Sequence, residues 1–154
     1  MCNFQKTKQP TVIVEEEEPK SIDGIHPVIS GQERPSPGFW INNGITVSAN
    51  NVVISGKYTR VDIADTNSMD GTFDIGHTLI IKRPPELNID DVIRGDIMIY
   101  QTPYELVVHS VSDITWDDEG RYFTCWGLNN ATPDGDKVRD NNIWGIVVAI
   151  VYGS

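Results

Sequence analysis

The chain has 154 residues, 39% hydrophobic and 22% charged, with a net charge of −10. That length suits one domain with a modest core and leaves little for a second. The acidity excludes a sequence-independent grip on nucleic-acid phosphates, which needs a basic surface, and leaves basic or neutral partners electrostatically favoured.

Residues 1–40 differ from the rest. TVIV (residues 11–14) can supply one strand, and it is followed by Glu15, Glu16, Glu17 and Glu18, then by Pro19, Pro27, Pro35 and Pro37. Proline at that density without apolar periodicity predicts an extended, acidic arm or linker, with the acidic run as a solvated spacer. The opening MCNFQKTKQP lacks the apolar stretch of a secretory signal, and the apolar run at residues 146–152 is too short to cross a bilayer. The expectation is a soluble protein without a membrane span, cytoplasmic or virion-associated. Cys2 and Cys125 lie far apart and form neither a disulfide framework nor a zinc motif. No cofactor or metal is expected.

From residue 41 to 154 the pattern predicts a single β-rich domain. NVVIS (51–55), YTRVDIA (58–64), HTLIIKR (77–83), DIMIYQ (96–101), ELVVHSVSD (105–113), RYFTCWG (121–127) and IWGIVVAIVYG (143–153) are rich in β-branched and aromatic residues. DDEG (117–120) reads as a hairpin turn and IDDVI (89–93) as one helical turn. Seven short strands punctuated by Gly, Pro and Asn predict a mainly β fold, a compact, partly closed barrel or coiled antiparallel sheet.

Three segments carry chemistry when taken in order. TNSMDGTFDIGHTLII (66–81) places Ser68 at a strand end with an accessible hydroxyl, although Ser-Met alone equally suits an ordinary turn. RGDIMIYQ followed by ELVVHSV makes a tight turn at Gly95-Asp96 and returns as a strand. That strand puts His109 on the same face as Val107 and Val111. A histidine there is commonly structural, but a fixed imidazole is also what a serine hydroxyl needs before it becomes a nucleophile. The polar loop at residues 129–142 offers Asp134, Asp136 and Asp140 as partners able to hold the histidine's tautomer. A solvated loop and a calcium loop are the other readings. The calcium reading lacks a terminal bidentate Glu and flanking helices.

Together these segments resemble the serine-peptidase clan of signal peptidase I and the LexA-type self-cleaving repressors. The corresponding stretches are Ser68-Met69-Asp70-Gly71-Thr72, Ile75-Gly76-His77, Gly95-Asp96-Ile97-Met98, Val107-Val108-His109-Ser110, Gly127-Leu128-Asn129-Asn130 with Asp134, and Ile143-Trp144-Gly145. The likeness covers roughly residues 60–152. Histidine, in place of lysine, at the base position is similar to the endoplasmic-reticulum and archaeal branch of signal peptidases. The resemblance implies the clan's coiled β fold and a Ser68–His109–Asp134 endopeptidase that cleaves an extended segment after small residues. Met69 and Asn67 would then lie against the substrate. The family pattern is altered at Gly71, His77, Ser110 and Leu128, and no membrane anchor is expected.

Two further expectations follow. Self-cleavage would fall in the arm, where Ser30-Gly31 is a small-residue pair upstream of Ser68. Alternatively, the chain is an inactive peptidase-fold module that laces onto neighbouring subunits through its arm, as in a phage particle. A LexA-like transcription factor is disfavoured, because residues 1–40 hold neither a helix-turn-helix nor a basic surface.

Overall fold

The computed structural model describes residues 35–38, 40, 41 and 44–153, within a unit that begins at Arg34. TVIV, the acidic run, Cys2 and Ser30-Gly31 lie outside the described residues. β1 (Ile45–Val47) and β2 (Val52–Ile54) pair with each other as a small antiparallel sheet. The second sheet is antiparallel and holds β3 (Thr59–Asp62), β4 (Thr78–Lys82), β5 (Ile97–Gln101), β6 (Leu106–Asp117), β7 (Gly120–Trp126) and β8 (Ile143–Val151), in the order β3-β4-β8-β5-β6-β7.

The fold is therefore mainly β, and a strand lies in each of the seven predicted segments. β1 lies outside those segments, and β6 runs on past Asp113. The DDEG turn closes the β6–β7 hairpin, with Asp117 opposite Gly120. A 3-10 turn, Ile89–Asp91, occupies the IDDVI stretch, and the Asn88 side chain accepts from the Asp90 N–H at its start.

Of the expected partly closed barrel or coiled antiparallel sheet, the structure shows the antiparallel sheet without closure, since β3 and β7 are its two ends. The sheet is nonetheless curled. Flat, it would hold β3 and β6 four strand spacings apart, ~19 Å, yet Val61 and Ile63 line the same cavity as Leu106 and Val108.

β5 lies between β6 and β8 and is covered on both faces, which explains its unbroken apolar sequence. Met98 and Tyr100 point into a cluster with Val111, Phe123, Cys125 and Ile146. Ile97 and Ile99 point into one with Met69, Phe73, Leu79, Ile81 and Val147. Full burial of each such side chain contributes ~1.5–3 kcal/mol.

The folded unit takes in part of the expected arm. Asp96 is 0% exposed. It accepts hydrogen bonds from Gly38 N (2.7 Å), Trp40 Nε1 (2.9 Å) and Ile93 N (2.9 Å). Gly95 beside it has φ +96°, and a Cβ there would collide with the Pro35 carbonyl oxygen. Glycine is thus required twice over, by the backbone angle and by the passing chain. Among the described residues no helix is long and apolar enough to cross a membrane.

Candidate active site

The site is assembled on β5 and β6. Met98 pairs with His109 and Tyr100 with Val107, so Tyr100 and His109 sit diagonally on one face. The predicted shared face of Val107, His109 and Val111 follows from the same alternation, and Val107 and Val111 pack in or against the cluster that holds Tyr100.

The chain leaves β7 and returns over this face, where Asp134 N donates to the Cys125 carbonyl at 2.8 Å. Of the three carboxylates open in the sequence, Asp134 reaches the histidine: its Oδ2 lies 2.6 Å from His109 Nδ1. Asp140 instead takes two bonds from Arg121, and Asp136 is exposed. The Tyr100 hydroxyl donates to the same Asp134 Oδ2, also at 2.6 Å.

Burial, reinforced by the hydrogen bond to Asp134, pushes the Tyr100 phenol far above its ordinary range, so it stays a donor throughout the neutral region. Burial, with Asp134 nearby, likewise pushes the Cys125 thiol up. Cys125 is a buried core residue and not a nucleophile.

With Nδ1 facing a carboxylate, the neutral imidazole carries its proton on that nitrogen and leaves Nε2 as the acceptor. Nε2 faces Gly127, where a Cβ would lie 2.9 Å away. Only glycine lets the chain pass this close to the open side of the ring.

The loop that starts at Gly127 also holds the serine segment. Asn129 N donates to the Ser68 carbonyl at 2.9 Å, Asn129 Nδ2 donates to the Asn67 carbonyl at 2.9 Å, and Leu128 N donates to Met69 Sδ at 3.4 Å. Ser68 lies in this turn, beyond the end of β3, and not at a strand end as expected. Asn67 before it has φ +57°, a left-handed conformation that asparagine tolerates and that redirects the chain.

Ser68 and His109 line one cavity of about 430 Å³, together with Thr66 and with apolar side chains that include Ile63, Leu79, Ile99 and Trp144. Thr66 Oγ1 is 3.3 Å from Ser68 Oγ. Trp144 enters through a bulge: Ile99 pairs with Gly145 and Tyr100 with Ile143, so Trp144 is the extra residue. Arg83 stacks on its ring at 3.9 Å.

Met69 and Asn67, expected against the substrate, are not among the side chains lining this cavity. Met69 is 2% exposed and packs in the second cluster, while Asn67 turns the chain. Sequence reasoning missed Tyr100 and Thr66. A hydroxyl two positions before Ser68 was a readable signal for Thr66. The hydroxyl of Tyr100 sets it apart in DIMIYQ, but nothing in that stretch says which partner it meets.

One edge near the histidine is open. β7 pairs with β6 only from Ser110 onward, and Leu106 to His109 pair on their other side with β5. Among the described residues no strand covers that outer edge, which borders the cavity.

Comparison of the chain with protein-family models, with curated proteins and with solved structures found no match.

Proposed function

We propose that the chain is a serine endopeptidase-type domain of the signal peptidase and LexA-like kind. Ser68 is its nucleophile, His109 the general base and Asp134 the acidic partner. The observation that carries this reading is the 2.6 Å contact from Asp134 to His109 Nδ1, with the remaining ring nitrogen facing the loop that holds Ser68.

In the proposed cycle, Nε2 of His109 takes the Ser68 proton as Oγ attacks a peptide carbonyl. Asp134 stabilises the imidazolium that forms. The Ser68 N–H and the Thr66 hydroxyl are the groups available to the oxyanion. His109 then returns the proton to the leaving amine, and water hydrolyses the acyl-enzyme by the same route. An extended substrate adds along the uncovered edge of β6, with apolar side chains in the cavity and small residues at the scissile bond.

The test is a fluorophosphonate probe followed by intact-mass measurement. The expected result is a single adduct on the wild-type chain and none on Ser68→Ala. A wild type that resists the probe while remaining folded removes the peptidase assignment.

A second reading, a module built into a larger assembly, is favoured by one feature. Ile45, Val47, Val52 and Val53 of the β1–β2 sheet are all exposed apolar side chains. An unlabelled chain that forms a stable oligomer would support it.

A further inference from the structure

We propose that Tyr100 is a positioning residue of this site: its hydroxyl fixes the Asp134 carboxylate in the orientation that meets His109 Nδ1. The inference rests on the reading of Ser68, His109 and Asp134 given above, and its first test does not require activity.

The two partners of Asp134 differ in rigidity from Asp134 itself. Tyr100 and His109 stand on adjacent strands, and β5 is paired on both sides, by β6 and by β8. Asp134 lies in the irregular stretch between β7 and the 3-10 turn Asp140–Asn142, and its neighbours Pro133, Gly135 and Asp136 are exposed. A bond from its backbone N–H to Cys125 ties the residue down there. Its carboxylate still turns about two single bonds and borders solvent, with 16% of the side chain exposed.

The diagonal across a strand pair spans ~7–8 Å between Cα atoms. A carboxylate entering from the loop can bridge that gap with one oxygen, and Asp134 Oδ2 does so, receiving Tyr100 and His109 at equal distances of 2.6 Å. Among the described residues these two side chains are the donors to that carboxylate. Without the phenol, Asp134 keeps a single side-chain bond, to the ring whose orientation it is meant to set. Hydrogen bonds to charged groups of this kind shift equilibria by ~10–100-fold.

The packing makes the test clean. Tyr100 is buried, its ring fills the cluster of Met98, Val111 and Phe123, and phenylalanine preserves that volume. Tyr100→Phe therefore removes the hydroxyl with little change to the core.

The first readout is the downfield imidazole N–H resonance of His109 in a ¹⁵N-labelled full chain. It is expected to be sharp in the wild type and broadened by water exchange in Tyr100→Phe, with the backbone amide spectrum unchanged elsewhere. Tyr100→Met, which also fits an apolar face and also lacks the donor, must broaden it too.

The second readout is the fluorophosphonate labelling rate at Ser68. It is expected to fall ~10–100-fold, with no change in the probe concentration giving half the maximal rate. A resonance as sharp as in the wild type, with labelling undiminished, would reduce the hydroxyl to a satisfied core group and overturn the proposal. If the wild type takes no label at all, the peptidase reading falls and the imidazole resonance alone decides the role of Tyr100.

Discussion

Asp134→Asn separates the charge of the acidic partner from its geometry. His109 Nδ1 and the Tyr100 hydroxyl both address Oδ2. The carbonyl oxygen of asparagine can take that position and keep both bonds, placing its amide where Oδ1 was. What disappears is the negative charge that, in the proposed cycle, faces the imidazolium formed as Ser68 attacks. For charge centres ~4 Å apart at an effective dielectric of ~20, that attraction is ~4 kcal/mol. A tenfold change in rate corresponds to ~1.4 kcal/mol, so labelling at Ser68 is expected to slow by up to ~10³-fold.

Stability should change little, because the contacts and volume survive. Asp134→Ala differs on both counts. It also slows labelling, and it leaves a buried phenol and a ring N–H unpaired, each costing ~1–3 kcal/mol. The assay is the second-order rate of adduct formation by intact mass, run beside urea unfolding of the same proteins. An Asn variant labelled at the wild-type rate would show that the charge of Asp134 plays no part in activating Ser68, and the triad reading would fail.

Thr66→Val removes the hydroxyl beside Ser68 while keeping its shape, and is expected to slow turnover of a peptide substrate ~10²–10³-fold. An unchanged rate would exclude Thr66 from the oxyanion site. Asp96→Ala leaves Gly38, Trp40 and Ile93 without their shared acceptor. It should cost ~3 kcal/mol in chemical denaturation and expose Trp40, seen as a red-shifted fluorescence; a loss below ~1 kcal/mol would mean these bonds are replaced by water at no cost. Arg139, then Lys137, hold the Asp117 carboxyl far below its usual range. A depressed carboxylate stabilises the fold above the unfolded value and loses that contribution as pH falls below about 4. Asp117→Asn should therefore melt lower than the wild type at pH 6, with the two curves converging under acid. Curves that remain parallel down to pH 2 would refute it.

The elements legible in the sequence are those whose signal is local. Strands β2 to β8 announce themselves by β-branched and aromatic runs between turn residues, and DDEG marks its own hairpin. The face of His109 follows from simple alternation with Val107 and Val111. Asp134, Asp136 and Asp140 could not be separated, because the choice depends on where an irregular loop crosses the sheet. The place of Met69 next to Ser68 suggests a substrate contact. Its side chain instead turns into the core, where Leu128 N reaches its sulfur. Tyr100 was hidden for a related reason. Its polar role depends on the register between β5 and β6 and on a carboxylate supplied from beyond β7. In the sequence Asp96 has the look of a turn residue, and its link to Trp40 reaches into a part of the chain expected to be an arm.

The segment Gly127-Leu128-Asn129-Asn130 is the mechanical centre of the candidate site. Ser68 and His109 belong to different parts of the sheet: one follows edge strand β3, the other lies on β6 near the opposite end. Curling the sheet brings these regions around one cavity, but curvature alone sets no distance between a hydroxyl and an imidazole to the tolerance catalysis needs, ~0.5 Å. The loop links the two regions directly. Its first residue passes the open side of the His109 ring at a separation that admits no side chain. Two residues later Asn129 holds the backbone of Asn67 and Ser68 through both of its N–H groups. After a further turn the same chain delivers Asp134 to the other ring nitrogen. One short covalent stretch thus contacts the serine segment and both sides of the imidazole.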